Sequence, residues 1–86
     1  MLKIHKYSGT FCAPCRALAP IIKEVAQEMG IEVVNFDADE HESQFAQNSV
    51  RSVPTLIFMK NNLEVRRETG MMTKDKLKGI IEELNK

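Results

Sequence analysis

The stretch from Leu2 to Phe36 leaves few folds open, because three hydrophobic periods follow one another with almost nothing between them. Residues 2–8 alternate as a strand does, with Leu2 and Ile4 facing inward and His5 or Tyr7 competing for the same face. The cluster Ser8-Gly9-Thr10 breaks that strand. From about Ala13 the period lengthens: Leu18, Ile21, Ile22, Val25, Ala26 and Met29 recur at the three- and four-residue spacing of a helix. Gly30 ends it, since glycine turns freely to positive φ at a helix C-terminus. Pro14 suits the first turn, whereas Pro20 lies inside and predicts a kink. Ile31 to Phe36 is apolar and β-branched, the pattern of a buried parallel strand. A strand–helix–strand succession crosses over right-handed, which makes its two strands parallel.

The remainder adds a second unit. Asp37-Ala38-Asp39-Glu40 leads into a helix near residues 40–48, its acidic residues near the favourable N-terminal end. Val53 to Met59 is the most strand-like segment, and Asn61-Asn62 forms a tight turn because asparagine tolerates left-handed backbone. Leu63 to Thr69 is its hairpin partner. After Gly70, Thr73 caps a last helix whose apolar face is Leu77, Ile80, Ile81 and Leu84. The order β-α-β-α-β-β-α predicts an α/β fold: one four-stranded mixed sheet with three helices covering both faces. At 86 residues the chain is expected to form a single domain over 1–86, without linker or repeat.

Charge narrows the function. Twelve basic residues balance twelve acidic ones, so the basic surplus of a nucleic-acid binder is missing, as is a polybasic membrane surface. No apolar run approaches the roughly 20 residues that span a bilayer, and the N-terminus lacks the apolar block of a signal peptide. The expectation is a cytoplasmic monomer with no nucleic-acid or membrane partner. Two cysteines alone are too few for the disulfide framework of a small secreted domain. In a reducing compartment such a pair reads as redox or metal chemistry.

Those cysteines stand in Phe11-Cys12-Ala13-Pro14-Cys15, where the first strand gives way to the first helix. A helix N-terminus offers unpaired N–H groups and a partial positive charge, both of which favour a thiolate. Cys12 at the tip is therefore the expected nucleophile, with a lowered thiol pKa. Cys15, one turn inward and shielded, can attack a mixed disulfide formed at Cys12. The competing readings are half of a zinc site and two inert core cysteines. Zinc wants four ligands, and only His5 and His41 remain, neither at a suitable spacing. No metal or bound cofactor is expected.

With these residues in view, nearly the whole chain resembles the thioredoxin family. Cys12-Ala13-Pro14-Cys15 is similar to the family's Cys-Gly-Pro-Cys, and Arg16-Ala17-Leu18-Ala19-Pro20 matches its basic residue and helix-kinking proline. Arg51-Ser52-Val53-Pro54-Thr55 resembles the segment with the family's cis-proline, and Gly70 falls where thioredoxins place a glycine beside the active site. The resemblance implies a thioredoxin-like fold and catalysis by Cys12 and Cys15. It implies a substrate surface of Phe11, Ala13, Pro14, Val53, Pro54, Gly70 and Met71, with Thr69 beside it. Val53 would offer its backbone to an extended substrate. Phe11 replaces the usual tryptophan, keeping a flat aromatic but losing an N–H donor. For Met71 the plainer reading is core filling.

Two departures stand out. The chain begins directly with the central strand, as glutaredoxins do, yet the active pair lacks their tyrosine and Gly70-Met71-Met72 replaces their Gly-Gly segment. Lys6 occupies the position where thioredoxins bury an aspartate, six residues before the first cysteine, and Asn35 stands where a lysine often accompanies it. Lys6 either tunes the dithiol, favouring both thiolates by its charge, or snorkels to solvent. The family implies disulfide-containing protein substrates and a flavin-dependent reductase of thioredoxin-reductase type as electron donor. The expected activity is reduction of protein disulfides. A glutathione-coupled, glutaredoxin-like reductase and a non-catalytic thioredoxin-fold binding module remain the alternatives.

Overall fold

The computed structural model describes Met1–Lys86 and has seven elements: β1 (Leu2–Ser8), α1 (Ala13–Met29), β2 (Glu32–Asp37), α2 (Glu42–Gln47), β3 (Thr55–Lys60), β4 (Leu63–Thr69) and α3 (Lys74–Leu84). The strands form one sheet in the order β2-β1-β3-β4. β1 runs parallel to β2 and antiparallel to β3, and β3 pairs antiparallel with β4.

Two apolar clusters hold the layers together. On one face, Leu2, Ile4, Leu56 and Phe58 of the sheet meet Leu18, Ile22 and Val25 of α1 and Leu77, Ile80 and Ile81 of α3. On the other, Tyr7, Ile57 and Val50 are joined by Phe36, Phe45 and Met59. The Tyr7 ring stacks on Phe36 at 4.8 Å and meets Phe45 edge-on at 4.9 Å. The competition for one inner face of β1 is thus resolved by burying both: Leu2 and Ile4 point one way, Tyr7 the other. A central strand covered on both sides has no solvent face to assign.

The helix and turn chemistry follows the sequence. Gly30 closes α1 at φ 66°, and Thr73 Oγ1 accepts the Lys76 N–H at 3.1 Å to cap α3. Asn61 and Asn62, at φ 53° and 68°, turn the hairpin. α1 continues through Pro20 as one element of 17 residues.

Three expectations need correction. The strand placed at Ile31–Phe36 is parallel as expected, but it is β2 at the sheet's edge and none of its residues is fully buried. Its only strand partner is β1, so one side of its ladder faces outward. The strand expected from Val53 starts at Thr55, because Pro54 carries no N–H for a ladder. The helix expected near 40–48 shrinks to Glu42–Gln47. Ahead of it, the His41 ring accepts the Asp37 N–H through Nδ1 at 3.1 Å, so turn geometry occupies those residues.

Arg67 of β4 secures the far end of α2. Its guanidinium donates to Asn48 O at 2.8 Å and Ser49 O at 3.3 Å, and it grips the Glu64 carboxylate at 2.8 and 2.9 Å. That end of the helix feeds the loop to Pro54. Arg67→Ala should lower stability by about 1–2 kcal/mol, read from urea unfolding. Arg67→Lys should recover less than half, since an ammonium cannot reproduce the fork.

His5 gives the fold a pH dependence. Burial, reinforced by the Lys3 ammonium and opposed by Glu32, holds its imidazole below the ordinary 6.5. The unfolded chain therefore binds the proton more tightly, and stability falls as pH drops from 6.5 through the folded value. Urea midpoints between pH 5 and 7 should rise with pH in the wild type, and His5→Gln should flatten that slope.

Candidate active site

Cys12 is the N-cap of α1, with the extended backbone (φ −119°, ψ 101°) that lets its carbonyl begin the helix by accepting the Arg16 N–H at 3.1 Å. Its sulfur performs the task that a serine oxygen performs at most caps: Cys12 Sγ accepts the Cys15 N–H at 3.1 Å. Pro14 sits in the first turn, where a missing N–H leaves nothing unsatisfied. One turn thus brings the two cysteines to a Cα–Cα separation of 5.2 Å, and they are joined as a disulfide. When that bond is reduced, the same N–H and the positive end of a 17-residue helix face any negative charge on Cys12.

The two cysteines are shielded alike, at 8% and 7% exposure, rather than Cys15 alone as the sequence predicts. In the disulfide, Cys12 is turned back over the helix tip toward its partner. Phe11, by contrast, is 97% exposed, and Ala13 and Pro14 are also open to solvent.

Three loops meet around this tip. A Cβ built on Gly9 would lie 3.6 Å from Val53 Cγ2 and 4.0 Å from Cys12 Cβ, which puts the loop after β1, the dithiol and Val53 side by side. The Val53–Pro54 peptide is cis. Pro54 O accepts the Gly70 N–H at 2.9 Å, tying this loop to the end of β4. Gly70 has φ 84°, a backbone state that side chains strain, so glycine is the residue the tie requires. Neither the N–H nor the C=O of Val53 has a backbone partner within the chain. Met71 is 50% exposed, while its neighbour Met72, at 5%, fills the core. The core-filling role weighed for Met71 falls one residue later.

Sequence reasoning missed Gly9, Thr10 and Asp39. Thr10 Oγ1 donates to Asp39 at 3.2 Å, and Arg16 Nη1 donates to Thr10 O at 3.3 Å, so the loop before Cys12 is clamped from both sides. The spacing of a strand-breaking Gly-Thr pair before the cysteines was the available signal. Lys6 lies apart from the exposed surface at Phe11 and Met71. It projects from β1 on the α1 side, beside its register partner Asn35, and shares a cleft with Ala19, one helical turn beyond Cys15. Burial pushes its ammonium below the usual lysine range.

Comparisons with known proteins agree with this geometry. The family model described as Thioredoxin matches residues 2–83. The thioredoxin of Bacillus subtilis (strain 168) is 33% identical over 73 residues, covering 83% of this chain and 70% of the relative. Thioredoxin H5 of Oryza sativa subsp. japonica is 39% identical over 84 residues, 96% of this chain and 62% of its own length. Among solved structures, a mutant thioredoxin from Halobacterium salinarum NRC-1 superposes with a TM-score of 0.91 at 28% identity, over 95% of this chain and 73% of the other. Fasciola hepatica thioredoxin gives 0.88 at 32% identity, over 95% and 79%. A strand-to-helix tip carrying a paired Cys-x-x-Cys, framed by a mixed four-stranded sheet and matched over almost the whole sequence, makes this chain a thiol–disulfide oxidoreductase that belongs to the thioredoxin family.

Proposed function

We propose that the chain reduces disulfides in protein substrates, acting as one domain over residues 1–86 and as a cytoplasmic monomer. The observation that carries this reading is the sulfur of Cys12 at a helix N-cap, receiving an N–H, with its neighbours Phe11, Ala13 and Pro14 exposed and the backbone of nearby Val53 unpaired.

The chemistry balances without a bound cofactor. Cys12 thiolate attacks one sulfur of the substrate disulfide, a mixed disulfide forms, and the other substrate sulfur leaves as thiolate. Cys15 thiolate then attacks Cys12 Sγ, expelling the second substrate thiolate and closing the Cys12–Cys15 bond. Two electrons pass to the substrate, and two must return from a reductase of flavin-dependent, thioredoxin-reductase type. Phe11, Ala13, Pro14, Gly70 and Met71 supply the contact surface in this reading. Val53, next to Pro54, offers an N–H and a C=O to an extended substrate segment, as a sheet edge does.

Lys6 is the positioning residue of the site. A cation on the α1 side of β1 stabilises both thiolates, and so the reduced form, which makes the protein more oxidising. Lys6→Ala should move half-maximal Cys12 alkylation to higher pH and make the dithiol potential more negative by about 10–30 mV. Unchanged values would remove Lys6 from the site.

Turnover of a disulfide-bonded protein such as insulin, followed by precipitation of its freed chain, tests the main reading. Cys12→Ser should abolish turnover. Cys15→Ser should accumulate a covalent adduct with the substrate, visible by mass and released by added thiol. Glutathione as sole reductant should support little turnover; rates matching those with a dedicated reductase would favour glutathione coupling. Full activity in Cys12→Ser would overturn the assignment.

A further inference from the structure

The outer half of the sheet is left partly uncovered on the side where α1 and α3 lie. α1 packs with α3 over β1 and β3, and between its flank and β2 there is an open cleft of about 580 Å³. That volume is within the range of about 300–1,000 Å³ usual for small-molecule sites. Its helix wall is the stripe Ala19, Ile22 and Ala26, and its floor is formed by Val33 and Asn35 of β2 with Lys6 of β1. Small and apolar side chains dominate, so the cleft can take an apolar body without large rearrangement.

The charges in it are one-sided. Lys6 and Lys23 are the only ionisable residues lining the cleft, and no carboxylate faces it. Most other lysines are spoken for: Lys3 pairs with Glu32, Lys74 with Glu24 and Glu28, Lys76 with Glu68, Lys78 with Glu28, and Lys60 donates to Leu84 O. Lys6 and Lys23 form no ion pair in a chain whose acidic and basic residues are equal in number. Lys6 is moreover partly withdrawn from water, which weakens its hydration without supplying a counter-charge. The amide of Asn35, its register partner, stands beside it as a neutral donor.

We infer that this cleft binds a small amphipathic carboxylate, its apolar body against Ala19, Ala26 and Val33 and its carboxylate on Lys6 and Asn35. A metal ion would meet two ammonium groups and no His, Cys, Asp or Glu ligand. A bare inorganic anion would leave the apolar wall unused. An alkyl carboxylate satisfies both parts, and a charge-assisted hydrogen bond to Lys6 gives roughly ten-fold or more in affinity. Cys12 and Cys15 take no part, so the site stands whether or not the thiol chemistry proceeds as proposed.

The test is a titration of the oxidised, ¹⁵N-labelled protein with decanoate below its micellar concentration, followed by two-dimensional NMR. Saturable shifts are expected at the amides of Ala26, Gly30, Val33 and Asn35, with Gly70 and Met71 unmoved. Decanol, of equal chain length but uncharged, should bind about ten-fold more weakly, and Lys6→Gln should lose a similar factor for decanoate alone. The comparison of decanoate with decanol on the wild type needs no variant to fold. Equal affinities for the two, shifts that spread over the surface without saturating, or decanoate binding unaffected by Lys6→Gln would each overturn the site.

Discussion

β1 is held in the middle of the sheet by strands on both edges and by apolar layers on both faces, and the active tip depends on that confinement. Leu2 and Ile4 are locked under α1 and α3, while Tyr7 is locked among Phe36, Phe45 and Ile57. Tyr7 and Phe58 each bury a whole aromatic ring, and such rings contribute more than any other side chains to a small core. With the strand paired on both sides, the four residues between Ser8 and Ala13 carry the chain straight from the sheet into α1 at Cys12. The redox chemistry needs two sulfurs within bonding reach and a helix end aimed at one of them. Both follow from fixing the strand that precedes them.

What surrounds Cys12 is held more lightly. Gly9 approaches Val53 closely, Thr10 is held by Asp39 and Arg16, and a single hydrogen bond joins Pro54 to Gly70. The hydrogen bonds among these are single polar ties that involve the loops, outside either apolar cluster. A rigid strand and helix thus set the sulfurs, and short loops with individual polar ties set the surface that a partner would touch. Loops suit recognition in general because their side chains and backbone face water, where exchange for a partner costs little packing.

The elements were legible where local chemistry decides them. Periodicity placed β1, α1, β4 and α3 closely, and the residues that stop or turn the chain, Gly30, Asn61, Asn62 and Thr73, behave as their backbone preferences require. The Cys-x-x-Cys pair could be read at a strand-to-helix junction because both elements announce themselves on either side. What periodicity could not show was tertiary. Ile31 to Phe36 looks like a buried strand because Val33, Val34 and Phe36 are apolar, but an edge strand between two partly covered faces is apolar as well. Met71 and Met72 are indistinguishable by type, and only the entry angle of α3 decides which is buried. Thr10 and Asp39 meet across 29 residues, a separation that no local pattern spans.

The edge position of β2 bears directly on Lys6. A lysine beneath a fully packed helix–sheet interface would either lose its proton or need a carboxylate partner, because an isolated charge is costly to bury. Lys6 has no such partner, yet it sits on the same face as Ile4, which is completely buried two residues earlier. The difference arises from what covers each: Ile4 belongs to the cluster formed with α1 and α3, whereas Lys6 opens onto the cleft beside β2. The cleft leaves Lys6 partly exposed, and that partial exposure limits how far burial can lower its pKa. A charge at this point of the strand is thus tolerated because the sheet is narrow on that side.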